Sequence, residues 1–305
     1  MVNTPVLFET FVRVDYARQV WDAIKAAQPK TLYFYSNKGR SEKEGEIERN
    51  NEIRSWVKEI DWECDLHTWF REECVNVYES LRGAIDWLFD NEEQGIILED
   101  DCVPTLGFFS YADQLIEKFK DDKRIWFISG DNFINYNPEG YDYIFSHHSQ
   151  IYGWASWRDR WKSIDWKLTN LDRFLNEGYV NYLFPYAEMA HDRIDVMKTA
   201  KEWLLKTQCW DGIFYANMLM NNCLSVFPRE NLITNIGFLG EHNKNGGKKI
   251  WNTPATFIDR VYQINKEPDL YLPDPMFEKA LYKVTWKKSS VLKRLYHRIK
   301  LFCQN

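Results

Sequence analysis

The 305-residue chain has no run of about 18 apolar residues, so its sequence predicts no membrane-spanning helix. Its first 15 residues lack a basic flank followed by a long apolar stretch, and we therefore expect no secretory signal and a cytosolic protein. No Cys-x-x-Cys pair occurs, which favours reduced, mostly buried thiols over disulfides or a zinc site; the six cysteines are Cys64, Cys74, Cys102, Cys209, Cys223 and Cys303.

Acidic residues are missing from the last segment, 279–305, which contains eight Lys or Arg. The whole chain has a net charge of −6, so this tail carries +8 and the residues before it carry −14. Apolar residues of the tail share one helical face, namely Leu292, Leu295, Tyr296, Ile299 and Phe302. The pattern over 290–302 suits an interfacial helix on anionic lipid, with membrane contact through residues 279–302, and equally a helix docked on the acidic body. An acidic body without a known recognition motif argues against nucleic acid as a partner.

Strand and helix patterns alternate along the chain. Apolar runs and helical spacing predict strands at 6–13, 31–37, 65–70, 95–101 and 125–133, and helices ending at Pro29 and over 48–59, 74–89, 186–206 and 209–219. This order predicts an α/β fold with a mixed, mainly parallel sheet flanked by helices. Sheets of this kind bind ligands at the carboxyl ends of their strands.

Three adjacent carboxylates stand at one such strand end, in the segment GIILEDDCVP (95–104). Adjacent acids repel one another and destabilise a fold unless a cation offsets them. Mg²⁺ or Mn²⁺ suits this position, because one or two carboxylates hold such an ion while phosphate oxygens of a ligand complete its shell. The alternative is a solvated turn in which Asp100 or Asp101 caps the helix that follows Pro104.

The segment GIILEDDCVPTLGFFSYADQLIEKF resembles the Glu-Asp-Asp form of the Asp-x-Asp signature in nucleotide-sugar glycosyltransferases of the GT-A (Rossmann-like) fold, and it is similar to N-acetylglucosaminyltransferase I there. The ordered words IDWEC, GIILEDDCVP, ISGDNF, YGWASW, WD and NLITNIGF resemble bacterial nucleotide-diphospho-sugar transferases of surface-polysaccharide synthesis, over about residues 6–240. The resemblance implies a GT-A-like domain at 1–275, with a nucleotide-sugar-binding half at 1–130 and an acceptor-binding and catalytic half at 131–250. A basic amphipathic helical segment would follow at 276–305.

The resemblance also implies donor-site roles. Asp101 would ligate Mn²⁺ or Mg²⁺, while Glu99 and Asp100 would reach the ribose or sugar, or orient metal-bound water. His242 lies where many such enzymes place a late metal or diphosphate ligand. The loops after the first two strands would surround the nucleotide through Thr10, Arg13, Ser36, Asn37 and Lys38. Arg13 equally suits a surface salt bridge.

Catalysis and acceptor binding are implied for the second half. Asp211 matches the catalytic Asp of inverting relatives and would deprotonate the attacking hydroxyl, although its position also suits a helix N-cap. Strand-end and aromatic side chains would contact the acceptor sugar, namely Asp131, Asn132, Trp154, Trp157 and Trp210. The alternative for the tryptophans is a place in the core.

The implied function is metal-dependent, inverting transfer of a hexosyl or N-acetylhexosaminyl group. The donor would be a nucleotide-diphosphate sugar, with a UDP sugar favoured, and the acceptor a hydroxyl of a glycan or lipid-linked glycan at the inner face of a bacterial membrane. A sugar-phosphate nucleotidyltransferase is one alternative, but FVRVDYARQ lacks the Gly-rich phosphate loop usual in that class. A carbohydrate-binding module is another, and it would have little reason to bury an acid triplet.

Overall fold

A computed structural model describes residues 2–136, 139–184, 186–207, 210–237, 254–255 and 261–285. The first third alternates strand and helix, in the order β1 (Val6–Thr10), α1 (Val14–Ala27), β2 (Thr31–Ser36), α2 (Glu46–Ser55), β3 (Asp65–Phe70), α3 (Val77–Asn91) and β4 (Gln94–Glu99). A short 3₁₀ turn, Trp56–Glu59, extends α2.

The remaining elements are β5 (Cys102–Pro104), α4 (Leu106–Lys118), β6 (Ile125–Ser129), β7 (Tyr143–Ser146), β8 (Trp154–Trp157), α5 (Arg158–Lys162), α6 (Leu171–Asn176), α7 (Val180–Leu183), α8 (Ala187–Thr207), α9 (Trp210–Met220), β9 (Leu224–Pro228), β10 (Ile233–Asn235) and α10 (Pro275–Thr285).

Eight strands form one sheet in the order β3-β2-β1-β4-β8-β6-β9-β7. Six of them run in one direction, whereas β8 and β7 run against their neighbours. Strands β10 and β5 pair separately as a short antiparallel ribbon. The structure therefore confirms the predicted α/β class with a mixed, mainly parallel sheet and flanking helices.

Both faces of the sheet are covered, which explains why the central strands are apolar on both sides. In β1, Phe8 packs in the cluster formed with α1 and α4, and its neighbour Leu7 packs in the cluster formed with α3 and α9. The side chains of successive strand residues point to opposite faces, so the two clusters lie on the two sides of the sheet.

The strand order reverses between β1 and β4. The chain moves outward from β1 to β2 and β3, and then returns so that β4 pairs with the other side of β1. At such a point the connections that follow the two strands diverge and open a crevice beyond their carboxyl ends. Thr10 ends β1 and Glu99 ends β4, so the acid triplet begins at this crevice.

The segment after the triplet differs from the prediction. Residues 102–104 form the strand β5, which the sequence analysis did not predict because three residues are too few for a periodic signal. Helix α4 begins after Thr105, whose hydroxyl oxygen accepts a hydrogen bond from the backbone N–H of Phe108 at 3.2 Å. The alternative in which Asp100 or Asp101 caps this helix is therefore wrong.

Four of the six cysteines lie among the described residues, and all four are free thiols. Cys102 and Cys223 are buried, Cys64 is half-buried and Cys74 is exposed. The expectation of reduced thiols holds for these four, while that of mostly buried thiols holds for two.

The basic tail is described only as far as residue 285. Its first residues belong to α10, which packs through Phe277 and Leu281 against Ile144 and Phe227 of the sheet. Residues 286–302, which carry the whole of the predicted lipid-facing stripe, lie outside the described part of the chain. No helix within the described ranges is both long and apolar enough to cross a membrane.

A buried carboxylate attaches α10 to the sheet. Glu278 accepts hydrogen bonds from the Ser146 hydroxyl at 2.7 Å and the His147 backbone N–H at 2.5 Å, and its other oxygen lies 3.1 Å from His148 Nε2. Burial alone would raise the pKa of Glu278, but the His148 charge and hydrogen bond and the neighbouring His147 outweigh it and lower this pKa to about 2. The ionised form is therefore the one that the fold stabilises.

We predict that Glu278→Gln lowers the free energy of unfolding by about 2 kcal/mol at pH 7. A carboxyl group with a lowered pKa in the folded state stabilises the protein above its unfolded pKa, near 4.5, and this contribution is lost as the pH falls toward 2. The difference between wild type and variant should therefore narrow below pH 4.5 in urea unfolding.

Glu267→Gln is the control, because Glu267 pairs with Lys118 at the surface and its loss should change the stability by less than about 0.5 kcal/mol. A difference in the free energy of unfolding between wild type and Glu278→Gln that stays constant from pH 7 to pH 3 would contradict the lowered pKa of Glu278.

Candidate functional site

A cleft of about 1100 Å³ opens at the carboxyl ends of β1, β2 and β4. Its wall includes six of the residues predicted to bind the nucleotide: Thr10, Arg13, Asn37, Lys38, Glu99 and Asp100. Two others lie behind them, since Ser36 is fully buried and Asp101 contacts Arg13. The structure thus brings together residues that are up to 90 positions apart in the sequence.

Hydrogen bonds hold the loops that form this wall. The Thr10 hydroxyl donates to the Tyr35 carbonyl at 2.9 Å, which joins the ends of β1 and β2. Asn37 donates to the Val75 carbonyl at 2.9 Å and accepts from the Val75 N–H at 3.2 Å. Asn50 and Arg54 of α2 donate to the Ser36 hydroxyl. Thr10, Ser36 and Asn37 therefore shape the cleft through bonds within the protein.

The guanidinium of Arg13 bridges two of the three adjacent acids. Its Nη1 lies 2.8 Å from Asp101 Oδ2, and its Nη2 contacts Asp100 Oδ1. Burial would lower the pKa of Arg13, but the two carboxylates outweigh burial and raise it above its ordinary value. Arg13 therefore forms an ion pair at the edge of the cleft, and its predicted alternative of a salt bridge is realised with the acid triplet itself.

One guanidinium offsets only part of the negative charge here. Burial, followed by repulsion from Asp101 and Asp100, raises the pKa of Glu99 to about 8. Burial also raises the pKa of Asp100 to about 6, although Arg13 opposes the rise. Glu9 on β1 is buried beside them, and burial with the charges of Glu99 and Asp100 raises its pKa well above the usual range. The sequence analysis missed Glu9, whose only signal is an acid within an otherwise apolar strand.

The oxygen atoms at this position suit a hard divalent cation. Asp100 Oδ2 and Glu9 Oε1 are buried without a hydrogen-bond partner. In the described ranges, no group of three or more His, Cys, Asp or Glu side chains is arranged to enclose a metal ion. A divalent ion can also be held by one or two carboxylates of the protein together with phosphate oxygens of a bound ligand. Asp100 and Asp101, which lie beside an open cleft, fit this second kind of site. His242 lies outside the described residues, so its role as a ligand stays a prediction.

The late segment NLITNIGF covers the acid triplet. Strand β10 pairs with β5, and the backbone N–H of Ile236 donates to the Asp101 carbonyl at 2.9 Å. Gly237 lies so close that a Cβ on it would stand 2.0 Å from Asp101 Oδ2. A glycine is therefore required for the backbone to approach this carboxylate.

Two further sequence words meet the same segment. Gly130 of SGDNF donates its N–H to the carbonyl of Gly153 of YGWASW at 2.8 Å. A Cβ on Gly130 or on Gly153 would lie 2.4 or 2.7 Å from the Ile233 side chain, and Gly153 has a positive φ of 96°. Four of the six words that carry the family resemblance, namely GIILEDDCVP, ISGDNF, YGWASW and NLITNIGF, thus meet around the end of β4.

The residues predicted to contact the acceptor are buried. Asp131 Oδ2 accepts from the Tyr152 N–H at 3.2 Å, and burial raises the pKa of Asp131 well above the usual range. Asn132 donates to the carbonyls of Pro228 and Arg229 at 2.9 and 3.0 Å. Both side chains fasten the loop after β6 to its neighbours, and contact with an acceptor stays a prediction for each.

The three predicted tryptophans lie in the two core clusters. Trp154 stacks on Trp210 with ring centroids 6.0 Å apart, and Trp157 donates its indole N–H to the Ile116 carbonyl at 3.1 Å. They are 1%, 7% and 3% exposed, respectively, which matches the alternative of a place in the core. Their contact with an acceptor remains a prediction.

Asp211 is exposed in the first turn of α9. Its negative charge contributes to the raised pKa of Glu99 and to that of Tyr152, so Asp211 lies within electrostatic range of the triplet. Burial, followed by the charges of Asp131, Cys102, Glu99 and Asp211, raises the pKa of the Tyr152 hydroxyl. Tyr152 was not predicted as a site residue, and its one signal in the sequence is its place in the word YGWASW.

No protein-family model and no curated protein sequence matches the chain. Solved structures with remote likeness include the mannosyltransferase PcManGT from Pyrobaculum calidifontis in complex with GDP-Man and Mn²⁺, at 12% identity over 52% of this chain and 45% of that one, with a TM-score of 0.35. The glycosyltransferase GlyE of Streptococcus pneumoniae matches at 14% identity over 53% of this chain and 36% of that one, with a TM-score of 0.29.

Mouse xyloside xylosyltransferase 1 matches at 10% identity over 73% of this chain and 96% of that one, with a TM-score of 0.31. The chain spans less than half of the length of the first two of these three proteins. With TM-scores below 0.5, these likenesses are too remote to indicate a function for the chain.

We predict that Gly237→Ala lowers the free energy of unfolding by about 1–3 kcal/mol in urea unfolding, because the new methyl group must displace the Asp101 carboxylate from Arg13. Gly83→Ala is the matched control. Its Cβ would stand 2.8 Å from Nη2 at the far end of the flexible Arg71 side chain and in ordinary contact with Trp69 at 3.8 Å. Because alanine is favoured over glycine in a helix, the stability of this control should equal or exceed that of the wild type. A Gly237→Ala protein as stable as the control would contradict the close approach.

Proposed function

We propose that the chain is a metal-dependent glycosyltransferase of the GT-A type. It transfers a sugar from a nucleotide-diphosphate donor, with a UDP sugar favoured, to a hydroxyl of a glycan or lipid-linked glycan in bacterial surface-polysaccharide synthesis. The observation that carries this proposal is the acid triplet at the carboxyl end of β4, on the wall of a cleft where the strand order reverses.

The cleft suits a nucleotide-diphosphate donor in size and charge. Its volume of about 1100 Å³ lies just above the usual range of ligand pockets, which ends at about 1000 Å³. Arg13, Lys38 and Arg49 supply positive charge along its wall, whereas the charge of Arg40 is paired with Glu46. Asp101 would hold Mn²⁺ or Mg²⁺ with His242 as a further ligand, as the sequence predicts, and Glu99 would contact the ribose or the sugar. We add Asp100 as a metal ligand, because its Oδ2 is buried without a hydrogen-bond partner. The metal ion, when bound, neutralises charge on the leaving diphosphate.

Asp211 is the proposed general base. The acceptor oxygen forms a bond to the anomeric carbon while the bond from that carbon to the diphosphate breaks, and the electron pair leaves with the nucleoside diphosphate. The hydroxyl proton passes to the Asp211 carboxylate, so one displacement inverts the anomeric centre. Two observations support this role, namely the exposure of Asp211 and its electrostatic influence on Glu99.

We further propose that the protein is cytoplasmic and attaches to the inner face of the membrane through residues 279–302. Only 279–285 belong to the described residues, and there α10 docks on the sheet with Lys279 Nζ 4.4 Å from the centre of the Tyr186 ring. A tail that is anchored at its start and basic beyond it suits the electrostatic attachment of a folded enzyme to anionic lipid.

Calorimetry with UDP, GDP, dTDP and CMP, with and without Mn²⁺, tests the donor site. We expect at least one nucleotide to bind about tenfold tighter or more with Mn²⁺, because the ion joins phosphate oxygens to the carboxylates. Asp101→Asn should remove this gain. Glu42→Gln, which removes the same charge elsewhere on the cleft wall, should retain it. If Mn²⁺ strengthens the binding of none of the four nucleotides, the proposed donor site is contradicted.

Asp211→Asn should lower the turnover number by about 10² to 10⁴-fold, because the attacking hydroxyl loses its base, while donor affinity stays within about twofold. Turnover is followed as release of nucleoside diphosphate from the donor identified by calorimetry. Asp195→Asn, an exposed carboxylate of α8, is the control and should keep full activity. Unchanged turnover in Asp211→Asn would eliminate it as the base. Release of pyrophosphate from a nucleoside triphosphate and a sugar phosphate would instead identify a nucleotidyltransferase.

A further inference from the structure

We propose that Arg13 is an internal cation that competes with the divalent metal ion for Asp100 and Asp101. It leaves them when the diphosphate of the donor draws its guanidinium away. Metal ion and nucleotide would then enter the site together rather than in sequence. This inference rests on the proposed function and assigns Arg13 a role in the order of binding.

The geometry of the ion pair carries the inference. Two guanidinium nitrogens reach two different carboxylates at once, one at 2.8 Å from Asp101 Oδ2 and the other in contact with Asp100 Oδ1. These are the carboxylates that fit the metal ion, and Asp100 Oδ2 beside them is buried without a hydrogen-bond partner. A divalent ion on the same oxygens would stand within a few ångströms of the guanidinium and repel it. The two cations therefore exclude each other.

The Arg13 side chain can also reach a second position, in the cleft. It stands between β1 and α1, its side chain is 29% exposed, and it lines the cleft in which the diphosphate would lie. Its guanidinium also lies 5.6 Å from the centre of the Tyr16 ring, and a planar cation interacts favourably with the face of such a ring. A guanidinium binds phosphate in the same forked manner as carboxylate. Rotation about side-chain bonds suffices for the exchange.

The other cations of the cleft have different partners. Arg40 pairs with Glu46, and the Lys38 ammonium donates to the Glu72 carbonyl at 2.6 Å. Within the described part of the chain, Arg13 is the one Lys or Arg that forms an ion pair with Asp100 or Asp101. Arg40 thus provides a matched control, because it carries the same charge on the same cleft without contact with the two carboxylates.

The consequence is a coupling between two ligands. Without nucleotide, Mn²⁺ must displace Arg13 into water and binds weakly. With a nucleoside diphosphate, the displaced guanidinium gains a phosphate partner. Metal binding then no longer leaves Arg13 without an anionic partner. By linkage, the nucleotide strengthens metal binding by the same factor as the metal strengthens nucleotide binding.

The test measures Mn²⁺ binding by electron paramagnetic resonance on the full chain, without nucleotide and with UDP or whichever nucleotide binds. We expect Arg13→Gln to bind Mn²⁺ about tenfold tighter than the wild type without nucleotide, and its gain from nucleotide to be smaller. Arg40→Gln should differ from the wild type by less than about threefold. Arg13→Lys, which keeps the charge but not the fork, should lie between the wild type and Arg13→Gln.

Circular dichroism establishes that each variant is folded before binding is measured. Folded Arg13→Gln or Arg13→Lys proteins whose Mn²⁺ affinity equals or falls below that of the wild type would overturn the inference, as would an Arg40→Gln protein that gains as much as Arg13→Gln. In those cases the metal-dependent nucleotide binding of the wild type would still support the proposed function. A wild type that binds no nucleotide in the presence of Mn²⁺ would overturn both.

Discussion

The repulsion among buried carboxylates at the end of β4 is the constraint on which the arrangement of the site depends. Glu9 and Asp100 are buried and Glu99 is half-buried on the wall of the cleft, and burial together with repulsion from neighbouring acids raises the pKa of each. Such a cluster is stable only where a positive charge approaches it. Arg13 provides that charge in the structure, and the surrounding loops are placed so that it reaches two acids from the opposite side of the crevice.

Much of the fold could be predicted from the sequence, because short apolar runs that form strands alternate with longer segments that form helices. Strand β3 has the predicted limits, and α8 and α9 are each shifted by one residue. Strand β5 escaped prediction because it is held by its partner β10, which lies about 130 positions later in the chain. The helix predicted over 48–59 is α-helical to Ser55 and then tightens into a 3₁₀ turn.

The sequence predicted which residues belong to the candidate site better than it predicted the contacts between them. A strand end and a cluster of acids are local signals, so the residues of the cleft wall could be named in advance. The pairing of Arg13 with Asp100 and Asp101 joins positions almost ninety residues apart, and no local pattern indicates it. Burial of Asp131, Asn132 and the tryptophans depends on how β6, β8 and α9 pack, which composition alone does not reveal.

Strand β8 lies between β4 and β6, although the chain reaches it only after both of them have been made. Without residues 154–157, β4 would have an open edge from Gln94 to Ile97, because β8 pairs with it there. The predicted nucleotide-binding side and the predicted acceptor side of the chain are therefore interleaved in one sheet. Chimeras that exchange these sides between related proteins would have to carry β8 together with β4, rather than divide the chain at a point between them.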